Sequence, residues 1–111
     1  MTTSPADELR TAAALLRARA TTATPSPWTQ TGIGDFGWYI DGPGIETADS
    51  DQGRADADYI ALMHPGVGAA LADWLDRMAD ANEAANDWTF GLIATLNLEA
   101  LAVARQINGT P

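Results

Sequence analysis

The chain of 111 residues contains no cysteine and no lysine, and it has a single histidine. Without cysteine there is no disulfide framework, no thiolate zinc site and no cysteine nucleophile. Without lysine there is no Schiff base and no P-loop lysine; all six cations are arginine. One histidine, His64, excludes a two-histidine metal site. No apolar run approaches the ~18 residues needed to cross a bilayer. The N-terminus, MTTSPADELR, lacks the basic-then-apolar order of a signal peptide. Together these features lead to the expectation of a cytoplasmic protein. Basic character is also scarce: the net charge is −9, so duplex DNA or an anionic membrane is repelled by the surface as a whole. The acids recur from Asp7 to Glu99 rather than in one block, which favours a solubility role over a DNA-mimicking or basic-partner-binding surface.

Within the length of one domain, the stretch DADYIALMHPGVGAALADWLDRM reads as two amphipathic helices meeting at a proline. Ala55, Tyr59, Leu62 and Met63 fall at helical spacing on the first. Val67, Leu71, Trp74, Leu75 and Met78 do so on the second. His64 precedes Pro65 and is thereby pushed out of the α region, while Pro65 suits the first turn of a new helix. The expected helices span 54–63 and 65–82.

Upstream, Ser4-Pro5-Ala6-Asp7 is a helix start: a capping hydroxyl, proline at the first position and a carboxylate in the positive first turn. That helix should run over 5–20, with Leu9, Ala12, Ala13, Leu16 and Ala20 as its apolar face. The prolines of TTATPSP end it. Five of the ten glycines then lie between Gly32 and Gly44, among Trp28, Phe36, Trp38 and Tyr39. Short strands are expected at 28–31, 36–41 and 45–48, forming a meander that needs a helical cover on one face. Downstream, Asn86 or Asp87 caps a last helix over 87–107, striped by Trp88, Leu92, Leu96 and Val103, with Ile93, Ala100 and Ile107 widening the stripe. Its breadth offers a second copy of the chain as a partner, although closing its own core is the commoner use of such a face. The expected fold is α+β: an N-terminal helix, a three-stranded antiparallel meander and three C-terminal helices packed on one face of the sheet, all in a single domain, 1–111.

Chemistry-bearing motifs are few. Gly32-Ile33-Gly34-Asp35-Phe36-Gly37 matches G-x-G-x-x-G, but strand-like Trp38-Tyr39-Ile40 follows where a dinucleotide site needs a helix; a glycine-rich hairpin is the better reading, and no cofactor is expected. Asp49, Asp51, Asp56 and Asp58 suggest a calcium loop, yet Gly53 arrives one place early and no glutamate closes it, so capping and a solvated first turn are preferred and no metal is expected. The start of the helix at His64, Gly66 and Gly68 could hold an anion on its backbone N–H groups, with Trp28, Trp38 or Tyr39 stacking on a base. Close packing of that turn, and a capping role for His64, are the competing readings. Strand alternation places Trp38 and Tyr39 on opposite faces, so at most one is core. An enzyme is the least favoured class: it would need His64 with Asp56 or Asp58 in one cleft, and Ser4, Ser26 and Ser50 all read as caps or turns. Pro25 and Pro27 should aim Trp28 between sheet and helices, flanked by Tyr59 and Ile60, with Asp56 or Asp58 accepting from its indole N–H or capping their own helix.

Ala23-Thr24-Pro25-Ser26-Pro27-Trp28, the glycine-rich hairpin, and Asp56-Ala57-Asp58-Tyr59-Ile60-Ala61 leading into His64-Pro65 together resemble a group of small phage and prophage proteins. Their pattern is A-T-P-G-P-W, a variable strand segment, then D/N-A-x-[YF]-I-A-x-x-x-P. They include the early-region accessory proteins of lambdoid phages and short actinobacterial and actinophage chains. The resemblance covers about two thirds of the chain, from Leu9 to Asp76, and Ser26 stands where glycine is usual. It implies a non-enzymatic accessory role in host takeover or defence evasion, in an actinobacterial host. It transfers no catalytic residue and names no ligand. The partner is therefore expected to be a protein or, alternatively, a small anion such as a nucleotide that the chain sequesters.

Overall fold

The structure is a computed structural model describing residues 4–84 and 90–109, with side chains described for all of these except 90–96. The order is α1 (Pro5–Thr22), β1 (Thr29–Ile33), β2 (Gly37–Asp41), β3 (Ile45–Ala48), α2 (Asp51–Leu62), α3 (Pro65–Ala84) and α4 (Phe90–Asn108). This is the expected α+β fold: an N-terminal helix, a three-stranded antiparallel sheet of order β1-β2-β3, then three helices. None of the described helices is long and apolar enough to cross a membrane. The expected cap of the last helix at Asn86 or Asp87, and Trp88, lie outside the described residues, as do the side chains of Leu92, Ile93 and Leu96.

Contacts gather the chain into two compact units. The first takes the described residues of Met1–Ala18 and Ala69–Pro111, and is all helix. Its core is built mainly of small side chains: Ala6, Ala12 and Ala13 of α1, Ala72 and Ala79 of α3, and Ala100 and Ala104 of α4, with Leu9 and Leu75 as the large members. Small residues at the contacts let helices approach closely. Leu16, Trp74, Met78, Val103 and Ile107 pack around this centre. The start signal at Ser4 acts as the sequence implies: its hydroxyl accepts from the Asp7 N–H at 3.1 Å. Arginines tie the helices at their edges. Arg10 meets Asp80 and Glu83, both at 2.9 Å; Arg17 meets Asp73 and Asp76; and Arg105 meets Glu8 at 3.1 Å.

The second unit, Arg19–Gly68, holds the sheet, α2 and the first turn of α3. Sequence periodicity places all three C-terminal helices on the sheet. Within this unit α2 covers it, meeting all three strands, while α3 beyond Gly68 and α4 cluster with α1. The alanine stripes of α3 and α4 match that of α1, so these helices fit closely together. Ser50 caps α2, its hydroxyl accepting from the Gly53 N–H at 3.0 Å, so the helix begins at Asp51 rather than at residue 54.

The buried face of α2 also differs from the expected stripe. Gly53 and Ala57 are buried, whereas Ala55, Tyr59, Leu62 and Met63 are exposed. Counting large apolar residues selects the wrong face, because the sheet demands small ones. A Cβ at Gly53 would overlap the Ala48 carbonyl oxygen, so only glycine lets α2 start this close to β3. Thr47 strengthens the contact by donating its hydroxyl to the Gly53 carbonyl.

The glycine-rich segment is a hairpin. β1 and β2 pair from Thr29↔Asp41 to Ile33↔Trp38, with a bulge between Gln30 and Gly32. Gly32 has φ +105°, a backbone state that glycine adopts without steric penalty. The turn closes with Gly34 N–H donating to the Gly37 carbonyl at 2.7 Å. Glu46 on β3 accepts from the Asp35 and Phe36 amides at 3.0 and 2.8 Å, so a side-chain carboxylate occupies the turn's free donors.

Candidate functional site

In the sheet unit, Trp28, Thr29 and Gln30 form one wall of an open groove of about 360 Å³, and Asp58, Ala61, Leu62 and His64 form the other. Only Thr29 and Gln30 of these belong to β1, and Trp28 precedes it, so the groove lies beside the start of that strand. β1 is an edge strand: β2 pairs on one side, and no strand pairs on the other among the described residues.

Trp28 is half-buried rather than wedged beneath the helices. Its indole N–H donates to the Thr24 carbonyl at 2.8 Å. That local bond replaces the expected one to Asp56 or Asp58. The cis Ser26-Pro27 bond lies just before it. Tyr59 does not flank the indole; it is 66% exposed, and Asp58, Ala61 and Leu62 share the groove with Trp28 instead. This follows from the rotation of α2: once Gly53 and Ala57 face the sheet, Tyr59 points to solvent.

Asp58 accepts from the Gln30 side-chain amide at 2.8 Å, and Asp56 accepts from Gln52 on its own helix at 2.9 Å. Asp56 is thus no part of the groove. Among the described residues no three His, Asp or Glu side chains gather as a metal site.

His64 caps α3. The Gly66 N–H donates to His64 Nδ1 at 3.1 Å and to Ser26 Oγ at 3.0 Å, and Ser26 Oγ lies 2.9 Å from Nδ1. The Val67 and Gly68 amides both donate to the His64 carbonyl. The anion site expected at Gly66 and Gly68 therefore has no free donor: its N–H groups are taken by Ser26 and His64. Ser26 was legible as a turn residue only, because its link to His64 spans 38 positions. Asp58 and His64 do line one groove, but Asp58 is held by Gln30, and Ser26 Oγ serves a backbone N–H.

Trp38 and Tyr39 occupy opposite faces as alternation requires. Trp38 faces α2, where the Arg54 guanidinium sits 5.1 Å from its ring centre. Ile40, two residues on, is fully buried. Tyr39 lies on the other face, paired with Glu46. Neither lines the groove, so of the three aromatics proposed to stack, Trp28 alone is placed there.

The charge is unevenly compensated. Every ion pair among the described residues lies in the helical unit. The sheet unit carries seven carboxylates and two arginines, Arg19 and Arg54. None of those carboxylates meets a cationic side chain. Comparison with protein-family models, with curated proteins and with solved structures finds no match to this chain.

Proposed function

We propose that the chain is a non-enzymatic, phage- or prophage-type accessory protein that acts in the cytoplasm of a bacterial host by binding a host or defence protein. The observation that carries the binding reading is the β1–α2 groove. One wall is Trp28 and the start of β1, an edge strand among the described residues, and the other is a helix end whose large apolar residues face outward. Tyr59 and Leu62 are each 66% exposed. Exposed large apolar residues beside a concave surface are where partners dock. Trp28 and Leu62 supply apolar contact, while Gln30 and Asp58 supply fixed polar groups. That combination suits a polypeptide segment better than a small anion, whose expected N–H donors are engaged internally. The phage-type part of the reading rests on the sequence resemblance.

The test is affinity capture from actinobacterial lysate with the wild-type chain and Leu62→Lys, which places a positive charge on an exposed position of the groove and leaves the core intact. A partner retained by the wild type and lost by the variant supports the reading. Equal capture by both, or by neither, removes the groove from the account.

A further inference from the structure

We infer that the groove takes an extended, arginine-rich segment of a partner protein, laid along the free edge of β1 with one guanidinium between Trp28 and Asp58. This rests on the binding reading above and specifies the partner's chemistry.

Three observations converge on it. The sheet unit's carboxylates are uncompensated, so its surface attracts a cationic partner and repels a second copy of this chain, whose net charge is −9. Within the groove, Asp58 is an exposed carboxylate held in place by Gln30, and it shares the space with the half-buried indole of Trp28. A planar guanidinium satisfies both at once: it pairs with a carboxylate through two N–H groups and stacks on an aromatic face. Finally, the groove lies beside the start of an edge strand, where an extended peptide can add its own backbone hydrogen bonds. The bulge after Gln30 breaks the ladder, so pairing is confined to Trp28 and the first two residues of β1, Thr29 and Gln30. The segment that fits is therefore short, with alternate side chains turned toward Asp58 and Leu62.

The probe is a capped hexapeptide of alternating arginine and serine, titrated into the ¹⁵N-labelled chain and followed by amide and indole NMR shifts. Shifts are expected at 28–30, at 58–64 and at the Trp28 indole. Asp58→Asn keeps an acceptor for Gln30 but removes the charge, and should weaken binding about tenfold, as loss of a charge-assisted hydrogen bond does. Asp49→Asn removes the same charge outside the groove and should leave affinity within about twofold, because exposed charges beyond a Debye length are screened. The matching glutamate–serine peptide should not bind. Equal weakening by both variants would mean diffuse attraction and overturn the assignment, as would free arginine binding as tightly as the hexapeptide. If the hexapeptide fails to bind while Leu62→Lys still abolishes capture of a cellular partner, the basic-segment inference falls and the groove remains.

Discussion

Gln30 on β1 donates to Asp58 on α2 at 2.8 Å, joining the two walls of the groove. The bond spans 28 positions and fixes the carboxylate beside Trp28. A free aspartate at an exposed helix position samples several rotamers. Here the side-chain amide of the strand selects one, so the groove's negative charge is placed before any partner arrives.

Replacing Gln30 by alanine should therefore loosen the groove more than it unfolds the protein. The bond is solvent-exposed, and its loss should cost about 0.5–1 kcal/mol in urea unfolding. Amide exchange at 28–33 and 57–62 should quicken, while α1 and the later turns of α3 remain unchanged.

Gly53→Ala should destabilise, although a glycine-to-alanine change in a helix normally stabilises. Helix propensity favours alanine by about 1 kcal/mol. The new Cβ, however, would overlap the Ala48 carbonyl, and overpacking of this kind costs about 1–3 kcal/mol. The clash should outweigh the propensity gain, lowering the thermal midpoint and the urea midpoint together. An unchanged or raised midpoint would contradict the close α2–β3 approach.

Ser26 and His64 share one backbone donor, the Gly66 N–H. Ser26→Ala alone should be mild, because Nδ1 remains as acceptor. Ser26→Ala with His64→Ala should cost about 1–2 kcal/mol, the loss of a helix cap. The double loss should exceed the sum of the single losses, since each partner covers for the other. Strict additivity in a thermal-melt cycle would show that the two do not serve the same N–H.

Hydrogen bonds to Glu83, and then to Asp80, raise the Arg10 guanidinium above the ordinary arginine value. A raised cationic group contributes stability that is fully present below its unfolded value and is lost only as pH rises through the folded one. Both lie above ~12, so these ties should hold constant between about pH 7 and 10 and yield to salt instead. Arg10→Gln should lower the melting temperature slightly at low salt, with the difference shrinking at about 1 M NaCl.

Local signals in the sequence located every element. The cap at Ser4, the proline break at His64-Pro65 and the glycine turns each act over a few residues, so they are readable without the fold. The face that α2 buries was misread. Gly53 and Ala57 carry almost no hydrophobic signal, and only the approach to Ala48 reveals why small residues are needed. Most of the groove was hidden for a related reason. Trp28 and His64 were picked out by residue type, but Gln30 and Leu62 became site residues only through the register of β1 and the rotation of α2. Ser26–His64 and Glu46 with the Asp35–Phe36 turn are also long-range pairings, which composition and spacing do not announce.

The central claim is that the β1–α2 groove is where this chain meets its partner. Hydrogen–deuterium exchange of the chain, alone and bound to the protein it captures, measures this residue by residue. The account predicts protection at 28–30 and 58–64, where an added strand and a covered helix end would slow exchange. Protection confined to α1 or α4, with those two segments exchanging as in the free chain, would contradict it.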